Sequence, residues 1–195
     1  MSPAEFHMQV DASLCGKAAD MALAWANRDT DRHRPDALPT RHVKDLRELN
    51  LFALGLTQPA SWPTISEVSR LVAQACPSTG WVLVNCIGHA LIADRFPESA
   101  KAPLFSGDTF PVIATAMAHR TAKIEDRPDG GVEITGRFVN SSGIDHADWV
   151  LLKFQGGAHA LPRYVACSTN EVEIERSWNA AGLLASGTHS FTVAF

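Results

Sequence analysis

The feature that most constrains this chain is a change of hydrophobic period near Asp108. Before it, apolar residues recur at three- and four-residue steps; after it come short runs of β-branched residues divided by turn-forming ones. The two patterns cannot share one kind of element. They predict an α+β fold, with an N-terminal all-helical domain over 1–107 and a small antiparallel β-barrel or sandwich over 108–195.

In the first half, DASLCGKAADMALAWAN places Cys15, Ala18, Ala22 and Trp25 on one helix face, and Pro35 and Pro39 end the segment. A second helix fits RHVKDLRELNLFAL, with Val43, Leu46 and Leu49 in register and Gly55 as its stop. The third opens on Thr64-Ile65-Ser66-Glu67, read as a capping box with Thr64 as the cap, and turns Ile65, Val68, Leu71 and Ala75 inward. Pro77 and Gly80 separate it from an apolar helix, Trp81 to Ala93, and DRFPESAKAPLF closes the half as a polar, proline-rich stretch. The second half reads as strands in VIATAMA, TAKIED, VEITGRF, ADWVLLKF, RYVACS, EVEIE and SFTVAF, with RPDGG as a hairpin turn.

Charge argues against some partners. The net charge is −4 and Lys and Arg are scattered among acids, so no basic stripe exists to track a nucleic-acid backbone. The longest apolar run, WVLVNCIGHALIA, is interrupted by Asn85, Gly88 and His89 and falls short of the roughly 20 residues of a membrane span. The N-terminus MSPAEFHMQVD lacks the basic start and apolar stretch of an export signal, which predicts a cytoplasmic protein. Cys15, Cys76, Cys86 and Cys167 have no CxxC spacing, so neither zinc nor a disulfide framework follows.

Three features carry candidate chemistry. Asp145-His146-Ala147-Asp148 offers three potential metal ligands in four residues, but in an extended segment they diverge to opposite sides, and turn-holding carboxylates explain them more simply. His89 lies in the most apolar helix; it is either a buried neutral imidazole satisfied by a backbone carbonyl or, beside a cavity, a functional base. Ser141 and Ser142, before Gly143, are by default hydroxyls bonded within their own turn. GxSxG, GxGxxG and P-loop patterns are absent from the sequence.

Three separated stretches resemble the acyl-CoA dehydrogenase fold superfamily, and within it the two-component flavin-dependent monooxygenases. CPSTGWVLVNCIGHA (76–90) is similar to the family's Ser-Thr-Gly-Trp helix start with a following Gly-His. GGVEITGRFVNSSGIDHADWVLL (130–152) is similar to the hairpin and Ser-Gly-x-x-His-Ala-Asp-Trp stretch of its middle β domain. SWNAAGLLASGTHSFTV (177–193) resembles its Trp-x-x-x-Gly-Leu run. The departures are LTQPASWPT in place of a glycine-rich loop, Phe138 in place of the usual aromatic arrangement, and Leu184 where an arginine is usual.

The resemblance implies a flavin, FMN or FAD, held against the β domain. Reduced flavin from a separate flavin reductase would serve to hydroxylate an aromatic or related small-molecule organic substrate with dioxygen. It further implies Ser141 or Ser142 as partner of the flavin N5 edge, with Gly143 beside them and Ser142 carried among the catalytic candidates. Thr115 and Ala116 would lie along the isoalloxazine, Trp178 on the loop bordering the cofactor, and His89 near the substrate, where a neutral imidazole accepts a phenolic proton. The family's C-terminal four-helix bundle has no counterpart in these 195 residues. The expectation is therefore a chain that works as a homo-oligomer or with another chain supplying the bundle. The alternatives are an acyl-CoA dehydrogenase relative, or a truncated, non-catalytic binding or assembly module.

Overall fold

A computed structural model describes residues 9–28, 36–56, 61–116, 118–119, 122–128, 130–154 and 162–194. Among these residues five helices come first: α1 (Ala12–Arg28), α2 (Thr40–Glu48), α3 (Trp62–Ala75), α4 (Pro77–Ala93) and α5 (Glu98–Leu104). Eight strands follow: β1 (Ile113–Ala116), β2 (Ala118–His119), β3 (Lys123–Asp126), β4 (Val132–Ser141), β5 (Trp149–Phe154), β6 (Arg163–Ser168), β7 (Val172–Glu175) and β8 (His189–Ala194). The expected α+β order is therefore present.

The helical boundaries differ from expectation in instructive ways. The second helix stops at Glu48, because Asn50 adopts a left-handed conformation (φ 55°) and Leu51–Ala53 continue only as a 3₁₀ turn. α3 starts two residues before Thr64: Ser61 is its cap, and Thr64 Oγ1 instead accepts the Asp11 N–H at 2.9 Å. Glu67 pairs with Arg70 at 2.6 Å rather than reaching back to the cap. Pro77 begins α4 rather than preceding it, since a first-turn proline gives up an N–H that has no helical partner anyway. The stretch read as a connector contains α5, which tolerates Pro103 in its last turn. Pro35 lies outside the described residues.

The strands form two sheets. One has the order β1-β5-β6; the other runs β2-β4-β8-β7, with β3 also paired to β4. Among the described residues all pairs are antiparallel except β1·β5, whose register runs from Ile113↔Trp149 to Ala116↔Leu152. That parallel pair departs from the expected all-antiparallel sheet, and the intervening β2 to β4 segment supplies the long return a parallel pair needs. Most of RPDGG turns β3 into β4 as expected, with Arg127 N–H bonded to the Gly131 carbonyl at 2.9 Å.

Two cores are joined by a seam. Leu46, Phe52, Val68, Leu83 and Ile87 pack between the helices. Ile134, Phe138, Val150, Leu152 and Phe191 fill the β region, where Phe138 stacks on Phe191 with ring centres 5.3 Å apart. Between them, Ala90 and Ala93 of α4 meet Ile113 of β1 and Leu151 of β5. α4 is therefore walled by helices on one side and by strands on the other. Its outward side carries Trp81 and Val84, two of the large apolar residues left exposed.

Candidate functional site

Near its end β4 carries an irregularity. Its pairing with β8 shifts between Phe138 and Ser141, and Asn140 takes a left-handed conformation (φ 61°). The extra residue turns Ser141 into the interior, fully buried, where its hydroxyl oxygen has no hydrogen-bond partner among the described residues. Ser142, the next residue, remains half-buried.

Gly143 then lets the loop lie directly on α4. Its φ is 74°, and a Cβ there would stand 2.6 Å from Val82 Cγ1, so both its backbone angle and its position demand a missing side chain. Its N–H donates to the Ser186 carbonyl at 2.8 Å, which fastens the loop to the turn before β8. This close approach brings Ser142 to the start of α4. Trp81 Nε1–H donates to Ser142 Oγ at 3.0 Å, Ser142 Oγ and Thr188 Oγ1 are 2.9 Å apart, and Thr188 Oγ1 and Ser186 Oγ 2.6 Å apart. An indole and three hydroxyls thus form one connected file leading from the interior outward.

Trp178 is tied to the same turn. Its backbone N–H donates to His189 Nδ1 at 3.2 Å, and its indole N–H closes its own loop on the Leu183 carbonyl at 3.0 Å. Because His189 Nδ1 accepts, the proton sits on Nε2, which donates to the Asp36 carbonyl at 3.2 Å with Asp145 Oδ2 at 3.3 Å. Arg176 spans Asp36 and Asp145 at 3.1 and 2.8 Å. At Gly187 an added Cβ would meet Asp145 Oδ2 at 2.8 Å, so this turn also packs too tightly for a side chain.

The acidic and histidine side chains of the loop between β4 and β5 go to separate places. Asp145 binds Arg176, and His146 Nε2 donates to the Leu38 carbonyl at 3.1 Å. Asp148 Oδ2 accepts from the Val112 N–H at 2.7 Å and from Arg47 at 2.8 Å. Each side chain holds a different neighbour remote in sequence, so the loop is tied to the surrounding elements rather than closed on itself, which departs from the turn-holding expectation. The default for the serines does not hold: Ser142 bonds across to α4 and to the turn before β8, not within its own turn.

His89 stands eight residues beyond Trp81 on α4, about 12 Å by helical rise. Its Nδ1 donates to the Ile113 carbonyl of β1 at 2.9 Å, which fixes the neutral tautomer with Nε2 as the acceptor nitrogen. Burial pushes its pKa below the ordinary value, partly offset by the Ile113 bond. Thr115, two residues along β1, is buried and donates to the Leu151 carbonyl at 2.8 Å, and Ala116 is buried in the β core. The structure therefore gathers Ser142, Gly143 and Trp178 around the β8 turn, sets His89 against the strand that carries Thr115 and Ala116, and withdraws Ser141 from the surface. Sequence reasoning gave no role to Trp81, Ser186, Thr188 or His189, although all four lie in the quoted stretches.

No protein-family model matches the chain. Among curated proteins it is 26% identical over 190 residues to the oxygenase component of an FADH(2)-dependent resorcinol hydroxylase from a Rhizobium species, covering 92% of this chain and 45% of that protein. It is 28% identical over 172 residues to the flavin-dependent monooxygenase oxygenase subunit HsaA of Mycobacterium tuberculosis, covering 80% of this chain and 41% of that one. Of solved structures, XiaF from a Streptomyces species, in complex with FADH2 and glycerol, superposes with a TM-score of 0.82 at 25% identity, over 94% of this chain and 48% of XiaF. This chain is a homologue of the oxygenase components of two-component flavin-dependent monooxygenases. The homologue spans about half the length of the curated relatives it matches. Its helices and sheets match about half of an acyl-CoA dehydrogenase-like monooxygenase structure, and no described helix is long and apolar enough to cross a membrane.

Proposed function

We infer that the chain provides the flavin-facing half of an oxygenase that hydroxylates a phenol or related small aromatic molecule. The observation that carries this is the half-buried Ser142 hydroxyl, held between Trp81 Nε1 and Thr188 Oγ1 where α4, the β4 loop and the β8 turn meet.

The residues present fit an isoalloxazine edge. Ser142 offers a hydroxyl at a surface lined by the indole of Trp81, while the Ser141 oxygen is fully buried and would need the β4 bulge to open before it could reach a ligand. Ser142 is therefore the better N5 partner of the two. Trp178, fixed through His189, would border the flavin, and the β1 backbone at Thr115 and Ala116 would run along it. The chemistry supplied by a bound reduced flavin, FMN or FAD, is two-electron activation of dioxygen. The protein's tasks are to bind and orient that group, to exclude water, and to accept a proton. His89 Nε2 suits the last: with Nδ1–H committed to Ile113 and burial favouring the neutral ring, it can take the proton of a phenol and make its ring more nucleophilic. The relatives' names, oxygenase component and oxygenase subunit, support a separate flavin reductase as partner. The exposed Trp81 and Val84 support a cover supplied by helices of a second copy or of another chain.

Anaerobic titration of the purified chain with reduced FAD and FMN tests the reading. Saturable binding that weakens in Ser142→Ala is expected; absence of binding at high micromolar flavin would overturn independent cofactor use. Reconstitution with a flavin reductase and a bundle-bearing chain should add one oxygen atom to a phenolic substrate, measured by product mass, and lose that product in His89→Ala.

A further inference from the structure

We propose that Ser186 and Thr188 are positioning residues that fix the Ser142 hydroxyl as a hydrogen-bond donor toward its ligand. The inference rests on the flavin reading above and adds to it the direction of the hydrogen bond.

The argument is one of counting protons. A hydroxyl has one proton and two acceptor sites. Ser186 is 1% exposed and Thr188 7%, and Ser186 Oγ has Thr188 Oγ1, at 2.6 Å, as its hydrogen-bond partner. If the file ran from Ser142 to Thr188 to Ser186, the Ser186 proton would be buried with no acceptor among the described residues, a costly arrangement. In the opposite order every buried proton is used: Ser186 donates to Thr188, and Thr188 donates to Ser142 at 2.9 Å. Trp81 Nε1–H takes the second acceptor site of Ser142 at 3.0 Å. Both lone pairs of Ser142 are then filled and only its proton remains. Whatever atom faces Ser142 must present a lone pair. Oxidised flavin N5 does so at the ring edge, and reduced flavin, whose N5 carries a hydrogen there, does so only out of the ring plane, while a C–H at the same ring position does not.

Backbone bonds hold this order in place. Gly143 N–H grips the Ser186 carbonyl, and His189, next to Thr188, is bonded on both ring nitrogens. The three hydroxyls have little freedom to leave the file.

Two measurements test the proposal. Neutron diffraction from the deuterated full chain should show the Thr188 deuterium on the line to Ser142 and the Ser186 deuterium on the line to Thr188; the reverse placement overturns it. Binding of FAD and of 5-deaza-FAD, which carries C–H in place of N5, is then compared with both flavins oxidised, the state in which N5 accepts at the ring edge. The expected preference for FAD is about fivefold, the worth of one hydrogen bond. Ser142→Ala should abolish the preference, Thr188→Val should abolish or reverse it, and Thr188→Ser should restore it. A preference lost in Ser142→Ala but intact in Thr188→Val sinks the positioning role while leaving Ser142 in contact with the flavin. No binding of either flavin sinks the flavin reading instead, and the deuterium positions then decide the hydroxyl order.

Discussion

Gly143 and Val82 are packed so closely that one additional carbon on the glycine would sit 2.6 Å from Val82 Cγ1. This contact seats the Ser142 loop on α4, and it sets a sharp steric test. Gly143→Ala should lose about 2–4 kcal/mol, combining overpacking with the cost of a side chain at positive φ. Adding Val82→Ala should recover the overpacking part and leave the backbone part. Urea unfolding of the two single variants and the double variant measures the coupling; strict additivity would refute the contact.

Asp148 joins α2 to the start of the β region through Arg47 and the Val112 N–H. Asp148→Ala should cost about 1–2 kcal/mol, mainly through the lost backbone bond, because the ion pair is substantially solvent-exposed and contributes little. Asp148→Asn keeps an oxygen for Val112 and should cost less. Chelation by EDTA should leave the melting temperature unchanged, since Asp145, His146 and Asp148 bond to three separate neighbours; a fall of several degrees on chelation would restore a metal role for this loop.

Burial lowers the pKa of His89 from the ordinary 6.5. The unfolded chain then binds a proton near pH 6.5 that the folded chain refuses, so stability falls as pH drops below 6.5 and levels off under the folded pKa. The slope contributed by this one group is at most about 1.4 kcal/mol per pH unit. His89→Gln should remove that contribution. Unfolding free energies at pH 7.5 and 5.5 for both proteins provide the check, and an unchanged difference would show that the ring titrates freely.

Cys86 and Cys167 lie in the two cores, and burial pushes each thiol up to about 12. Neither should react with a disulfide reagent in the folded protein at pH 8, whereas the half-buried Cys76 should. Labelling followed by peptide mass mapping reads this directly. Rapid labelling of Cys86 would mean that α4 opens far more easily than its packing implies.

Much of this protein is written in local sequence. The helix faces at Cys15, Ala18, Ala22 and Trp25 and at Val43 and Leu46 are legible because a 3.6-residue period leaves its mark within a few turns, and the strands because β-branched runs and the RPDGG turn mark themselves. Local signals misplace the ends. Thr64 looks like a cap by its spacing to Glu67, yet Ser61 performs that task because Thr64 is claimed by Asp11, a residue 53 positions away. The parallel pairing of β1 with β5 is likewise a choice made between distant segments.

The site divides along the same line. The residue types of SSGIDHADW point to a polar loop beside a buried strand, and resemblance brings the serines and His89 into view. Which serine faces outward is decided by the left-handed turn at Asn140, and the partners of Ser142 come from residues 61 positions before it and 46 after it. Sequence spacing sets which side chains alternate along a strand and recur along a helix. Only packing decides which distant hydroxyls and amides come within 3 Å, because a hydrogen bond depends on position in space and not on separation along the chain.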